Sequence, residues 1–276
     1  MQSYGWIEGQ TVRFERRKAG SDPELAKREA MALVELKPDV LVASSTVVAA
    51  ALAERTRDIP IVFLAVGDPI QAGFTDSLAR PSRNMTGLAL FDPAVGGKIV
   101  QFLKEVAPDL KRVTHMFNPD IGGGRQLLSV YLANARQFAS EMGLEFREAP
   151  VHDSGELEVA ISMLGPGDGL WAGADTTIFA NIKLIIDLVA RKRVPAIYAW
   201  PQHVRAGGLM SYSVDQAELW RDAADFVNSL LRGTRLEELP IQQPSRYVMS
   251  INLATAKALG ITIPREVLVR ATEVIE

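Results

Sequence analysis

Residues 39–69 decide the fold of this chain: DVLVASSTVVAAALAERTRDIPIVFLAVGDP. One apolar run, 40–43, ends in three hydroxyl side chains, and a second apolar run, 61–66, ends in Gly-Asp-Pro. The alanine-rich segment between the two runs favours a helix. Near-continuous apolar strands joined by a helix are typical of a parallel sheet that is covered on both faces. The stretch therefore predicts an α/β fold.

Polar residues follow both predicted strands. They are Ser44, Ser45 and Thr46 after the first strand, and Gly67 and Asp68 after the second. Ligands of parallel α/β sheets bind outside the carboxyl ends of the strands. Hydroxyls and free N–H groups at a helix start can bind an anion, and an aspartate can bind a cation. We therefore predict a site for a small zwitterion, although helix capping and an Asx turn would explain the same residues.

The rest of the chain contains two similar series of strand–turn–helix segments, divided near Phe91. One helix and one strand remain on either side of a proline-rich loop near the C-terminus. A chain that returns to the first lobe and crosses back again would explain them. We predict two Rossmann-like lobes joined by crossover strands around a cleft that closes by hinge motion. Lobe one would comprise 1–90 with 213–243, and lobe two 91–210 with 246–276.

The second series repeats the polar turns of the first. Asp175 and Thr176 follow a predicted strand, and Asn118 opens the first turn of this lobe. The glycines at 122–124 lack both the dinucleotide-binding pattern and the lysine of a phosphate-binding loop, so a flexible turn explains them. Asp175 would either contact the ligand or cap the following helix.

Three aromatic residues are predicted near the hinge or at strand ends. Phe91 and Trp200 could stack on an aromatic or aliphatic solute, and Tyr212 lies on a segment expected to cross between the lobes. Isolated aromatic residues of this kind more often belong to a core.

Composition and motifs exclude several functions. The chain has no cysteine, which excludes disulfides and thiolate sites, and its net charge of −3 gives no reason to expect a nucleic-acid partner. His115, His152 and His203 are scattered, with His115 expected to point toward a lobe surface. No spacing typical of a metal site or a catalytic motif is present. We therefore expect no cofactor, no metal and no catalytic residue.

Segments distributed over the whole chain resemble one protein family. The chain is similar to ABC transporter substrate-binding proteins, a family that includes bacterial tryptophan- and tyrosine-binding transport components. The segments that carry this resemblance are GWIEGQ (5–10), LKPDVLVASST (36–46), IPIVFLAVGDPIQAGF (59–74), SLARPSRNMTGLAL (77–90), VPAIYAW (194–200), AGGLMSYSVD (206–215) and INLATAKALGITIP (251–264).

The resemblance implies a type I periplasmic binding fold and a monomer that delivers a small solute to a membrane permease. It also implies a periplasmic or lipid-anchored protein, whereas the chain shows no export signal. Family members carry a first strand and a first helix before the GWIEGQ-like segment. We therefore expect lobe one to lack these two elements. Separately, the alternation of polar and apolar residues over 11–16 predicts a short strand.

The leading hypothesis is a solute-binding protein of an ABC importer, with an amino acid, possibly an aromatic one, as its ligand. A sensor or regulatory module with the same two-lobe fold is the first alternative. An enzyme that uses Asp68 and Asp175 as acid and base across the cleft is a weaker one.

Overall fold

A computed structural model describes residues 1–19, 22–90, 94–120 and 124–276. Over these ranges the chain forms two compact units. Unit 1 comprises Met1–Phe91 and Asp215–Arg246, and unit 2 comprises Asp92–Val214 and Tyr247–Glu276. The chain therefore passes between the units three times.

The elements are numbered along the chain. The strands are β1 (Leu41–Ala43), β2 (Ile61–Val66), β3 (Met85–Ala89), β4 (Arg112–Phe117), β5 (Glu145–Pro150), β6 (Asp168–Ala172), β7 (Ala196–Tyr198), β8 (Met210–Val214), β9 (Tyr247–Asn252) and β10 (Glu273–Ile275). The α-helices are α1 (Pro23–Glu35), α2 (Thr46–Arg55), α3 (Ala94–Val106), α4 (Gly124–Glu141), α5 (Ser154–Ser162), α6 (Thr176–Ala180), α7 (Ile182–Lys192), α8 (Pro201–Arg205), α9 (Gln216–Leu231), α10 (Leu253–Leu259) and α11 (Arg265–Arg270). Short 3₁₀ helices cover Gln2–Tyr4 and Leu236–Glu238.

The described part of unit 1 contains a parallel three-stranded sheet in the order β1-β2-β3. Along β2, Ile61 and Phe63 pack with α1 and α2 on one face, while Val62 and Leu64 pack with α9 on the other. Burial on both faces explains why the strand is a continuous apolar run, as expected from the sequence.

One glycine fixes the approach of β3 to β2. Gly87 has a φ of 143°, and a Cβ atom at this position would lie 1.9 Å from the carbonyl oxygen of Phe63. Both its backbone conformation and this close contact require a residue without a side chain.

The described residues of unit 2 form a seven-stranded sheet in the order β10-β9-β8-β7-β6-β4-β5. Neighbouring strands are parallel except for β8 and β9, which are antiparallel. One apolar cluster contains buried residues of α3, α4, α10 and α11, and a second contains those of α5, α6 and α7. Successive residues of the strands alternate between the two clusters: Leu170 belongs to the second and Trp171 to the first. Two lobes of mostly parallel α/β structure confirm the predicted fold class.

The local prediction for residues 11–16 differs from the structure. The segment 11–16 forms no strand and has only an isolated bridge between Glu8 and Val12. Arg13 and Arg16 instead pair with nearby glutamates. The segment that follows Asp175 forms two helices, α6 and α7, which are divided at Asn181. Helices α8 and α11 and strand β10 were not expected from the sequence. Phe91 and the glycines at 122–123 lie outside the described residues.

Candidate functional site

The turn after β1 starts a helix in unit 1. Ser44 is exposed, and Ser45 is the N-cap of α2: its Oγ accepts a hydrogen bond from the Val48 N–H at 3.3 Å. Thr46 Oγ1 accepts a longer bond, 3.5 Å, from the N–H of Gly67. This bond shows that the two polar turns predicted from the sequence lie side by side at the carboxyl edge of the sheet.

Asp68 forms the second polar turn of unit 1. Its Oδ1 accepts hydrogen bonds from the N–H groups of Ile70 at 2.9 Å and Gln71 at 3.0 Å, which makes an Asx turn. Its Oδ2 accepts no hydrogen bond from any of the described residues. One oxygen of a half-buried carboxylate therefore stays available at this edge.

The strand that leads into this turn has an unusual backbone. Ala65 adopts a φ of 58°, and the register of β2 against β3 shifts between Phe63 and Val66. Alanine disfavours left-handed backbone by about 1–2 kcal/mol. The irregularity lies immediately before Gly67 and Asp68, and so it helps to set the direction in which the turn leaves the sheet.

Asp175 joins two turns of unit 2. Its Oδ1 accepts the N–H of Ile178 at 2.9 Å, which caps α6, and its Oδ2 accepts the N–H of Asn118 at 2.9 Å. Asn118 is buried, and its Nδ2 donates to Thr177 Oγ1 at 2.8 Å. Both carboxylate oxygens therefore hold backbone groups in place, while Thr176 is exposed beside them.

Two of the three aromatic residues predicted to contact the solute, Trp200 and Tyr212, lie within the described ranges. Trp200 is half-buried and is the N-cap residue of α8, two residues after the end of β7. Tyr212 lies on β8, where its ring stacks on Tyr247 at 5.2 Å between centroids and meets Phe102 edge-on at 5.0 Å. Tyr212 is thus packed among aromatic neighbours of unit 2, whereas Trp200 lies at the carboxyl end of its strand.

His203 lies one turn beyond Trp200 and is 2% exposed. Its ring centroid is 5.5 Å from that of Phe179 and 6.2 Å from that of Tyr198. Neither ring nitrogen has a hydrogen-bond partner among the described residues. Burial lowers the pKa of His203 to about 4, so the imidazole is neutral near pH 7. Sequence analysis missed this environment because helix α8, which buries the ring, was not predicted.

The expectation that His115 points toward a surface is wrong. His115 is 2% exposed and its ring is stacked 5.0 Å from Phe117 and tilted at 4.1 Å from Trp171. Its Nδ1 lies 3.3 Å from the carbonyl oxygen of Trp171. Burial lowers the pKa of His115 to about 3. It is therefore a neutral core residue.

A groove of about 730 Å³ lies along β5 and α5 in unit 2. It contains none of the site residues predicted from the sequence. Its lining includes Arg147, His152, Glu156, Val159 and Met163.

A metal-binding cluster and a membrane-spanning helix are both absent from the described ranges. No group of three or more His, Cys, Asp or Glu side chains is arranged to hold a metal ion within the described ranges. None of the described helices has both the length and the apolarity needed to cross a membrane.

Comparison with protein families gives one match over almost the full length. The family model described as ABC transporter substrate binding protein matches residues 1–275. Among curated proteins, the chain is 25% identical over 260 residues to a tyrosine-binding protein of Clostridioides difficile (strain R20291). The alignment covers 94% of this chain and 74% of that protein.

Solved structures share the fold. A conserved domain protein from Vibrio cholerae superposes with a TM-score of 0.87 at 30% identity, over 99% of this chain and 90% of that one. An ABC domain from Streptococcus pneumoniae in complex with L-Trp superposes with a TM-score of 0.86 at 24% identity, over 97% of this chain and 89% of that one.

Proposed function

Because this chain belongs to the family of ABC transporter substrate-binding proteins, as its sequence motifs indicated, we propose that it binds an aromatic amino acid for delivery to a membrane permease. The tyrosine-binding protein of C. difficile, which is similar over most of this chain, supports the choice of an amino acid. The polar turns at the carboxyl edges of both sheets supply the chemistry that such a solute needs.

The start of α2 is proposed to hold the carboxylate of the solute. The first N–H groups of a helix have no acceptor within the helix, and the helix dipole favours an anion at this end. Ser45 already caps Val48, so the remaining donors are the Thr46 and Val47 N–H groups together with nearby hydroxyls. A carboxylate can be stabilised here without a cationic side chain.

Asp68 is proposed to hold the ammonium group. Of the two candidate carboxylates, Asp175 uses both oxygens to accept backbone N–H groups. Asp68 keeps Oδ2 without a partner among the described residues. The Thr46–Gly67 hydrogen bond ties this turn to the start of α2. The open oxygen of Asp68 next to a helix start is the observation that carries the proposal.

Trp200 is proposed to contact the side chain of the solute, because it is half-buried and follows the end of β7. Stacking of aromatic rings adds about 0.5–1.5 kcal/mol to the gain from burial. Contacts of Ser44, Asn118, Thr176 and Tyr212 with the solute stay predictions, as does the contact of Phe91, which lies outside the described residues.

Analogues of the solute test this chemistry directly. Calorimetric titration with L-tyrosine should give saturable binding. Tyramine, which lacks the carboxylate, and N-acetyl-L-tyrosine, which lacks the ammonium, should each bind at least about 30-fold more weakly, since an unpaired buried charge costs 2 kcal/mol or more. Equal affinities for all three compounds would contradict the zwitterion site.

The cellular role follows from the family. ABC transporter substrate-binding proteins act outside the cytoplasm, and we propose a periplasmic or lipid-anchored protein that works as a monomer with its permease. The solute should be released unchanged, and mass spectrometry after prolonged incubation would detect the product of an enzyme instead.

A further inference from the structure

Three buried side chains near α8 and β8 in unit 2 carry polar atoms without partners among the described residues, in addition to the Nε2 of His115 on β4. Among the described residues, Ser211 Oγ, Ser213 Oγ and both ring nitrogens of His203 accept or donate no hydrogen bond. Ser211 is 0% exposed and Ser213 is 8% exposed. Buried polar groups are almost always paired in folded proteins, so each of these atoms calls for a partner beyond the described residues.

The three residues belong to one region of the sheet. Ser211 and Ser213 are two apart on β8, so they point to the same face. Ser211 lies beside Tyr198 of β7, and the Tyr198 ring is 6.2 Å from the ring of His203. Helix α8, which carries His203, packs against β7, β8 and β9.

Other polar side chains of this region do have partners. Ser250, which is paired with Ser211 across the strands, donates to Glu273 Oε2 at 2.9 Å. Asn252 donates to the carbonyl oxygen of Val204 at 3.2 Å. Ser211, Ser213 and His203 thus differ from these two neighbours, which are paired within the described part of the chain.

The region also lies next to Trp200, near the carboxyl end of β7. The backbone N–H of His203 donates to the carbonyl oxygen of Trp200 at 3.0 Å. Phe179, which approaches the His203 ring, lies on α6, the helix that Asp175 caps, and is 51% exposed. The unpaired imidazole is thus positioned among the elements that carry the predicted site residues of unit 2.

We propose that His203, Ser211 and Ser213 form a polar subsite that binds a neutral hydrogen-bonding group on the side chain of the solute, a phenol hydroxyl above all. This inference rests on the proposed function and makes it more specific. A neutral imidazole offers one donor and one acceptor, and a serine hydroxyl offers either. A phenol both donates and accepts, so it matches them, whereas the ring of phenylalanine would leave all of these atoms unpaired. The protein should therefore select tyrosine over phenylalanine.

The ratio of the dissociation constants for L-phenylalanine and L-tyrosine tests the subsite. The ratio should be at least about tenfold in the parent protein, because one net hydrogen bond corresponds to roughly this factor. It should fall toward about one to three in Ser211→Ala and His203→Leu, mainly through weaker tyrosine binding. Ser213→Ala should lower it as well. The matched control is Ser250→Ala, whose hydroxyl is already paired with Glu273 and whose loss should leave the ratio unchanged.

The outcomes distinguish a failure of the subsite from a failure of the proposed function. If the parent binds tyrosine and phenylalanine equally well, the subsite is wrong and the amino-acid site stands. An unchanged ratio in the serine variants, with only their melting temperatures altered, would assign the polar atoms to buried water and overturn the inference. If the parent binds no aromatic amino acid, both proposals fail. The serine variants decide the matter even if His203→Leu does not fold, because Ser→Ala removes a hydroxyl that lacks a protein partner.

Discussion

Asp175 and Asp68 were equivalent candidates in the sequence, but the structure gives them different roles. We predict that Asp175→Ala destabilises the protein more than it weakens solute binding. The carboxylate of Asp175 caps α6 through Ile178 and holds the backbone of Asn118, whose side chain is buried. Its removal therefore disturbs two turns at once.

The magnitude follows from these two hydrogen bonds. Loss of a helix cap costs about 1 kcal/mol. An N–H group left without its acceptor in a buried environment costs about 1–3 kcal/mol more. The sum, about 2–4 kcal/mol, corresponds to a fall in melting temperature of about 4–15 °C for a domain of this size.

Asp68→Ala is the matched comparison. Its Oδ1 accepts bonds from two exposed residues, Ile70 and Gln71, whose N–H groups water can reach. We expect a stability loss of no more than about 1 kcal/mol. Binding should weaken by about 2–5 kcal/mol, since the ammonium of the solute would lose its partner.

Thermal unfolding and calorimetric titration of both variants separate the two roles. The expected pattern is a large fall in melting temperature for Asp175→Ala and a large fall in affinity for Asp68→Ala. The reverse pattern would refute the assignment and transfer the ammonium contact to Asp175. Unchanged affinity in both variants would refute the zwitterion site altogether.

Three further predictions concern stability. Gly87→Ala should destabilise unit 1 by at least about 3 kcal/mol in urea denaturation, because the new Cβ would overlap the Phe63 carbonyl oxygen. A loss below about 1 kcal/mol would show that β2 and β3 can separate at this point. Ala65→Gly should raise the free energy of unfolding by up to about 1 kcal/mol, since glycine accepts a φ of 58°, and a decrease would contradict the strain at this position. When the pH falls from 7 to 4.5, His115 should lower the free energy of unfolding by about 2–3 kcal/mol. Its pKa in the folded protein is about 3, below its usual value of 6.5, so only the unfolded chain takes up the proton over this interval. His115→Phe should lose correspondingly less on acidification, and an equal loss would refute this role.

The buried strands of the α/β lobes could be predicted because burial on both faces leaves a clear pattern. The run 61–66 coincides with β2, which α1, α2 and α9 cover. The segment 11–16 instead alternates polar and apolar residues, and it forms no strand. Local alternation does not specify a neighbouring strand, and a strand is stable only when its backbone groups are paired. Short helices such as α8 have too few residues for a periodic pattern.

The candidate site was predictable only in part, for a related reason. Polar residues after strands indicate the carboxyl edge, and the Thr46–Gly67 hydrogen bond shows that two of these turns meet. The sequence does not show which oxygen of an aspartate is already occupied, and this distinguishes Asp68 from Asp175. The environment of His203 was also inaccessible, because it depends on contacts among α6, β7 and α8.

The most direct test of the central claim is a calorimetric titration of the parent protein with L-tyrosine and L-tryptophan. We predict saturable binding of one amino acid per chain for at least one of them, with the solute recovered chemically unchanged. No binding of either amino acid at millimolar concentration, by a protein that unfolds cooperatively, would contradict the claim that this chain is an aromatic amino-acid carrier.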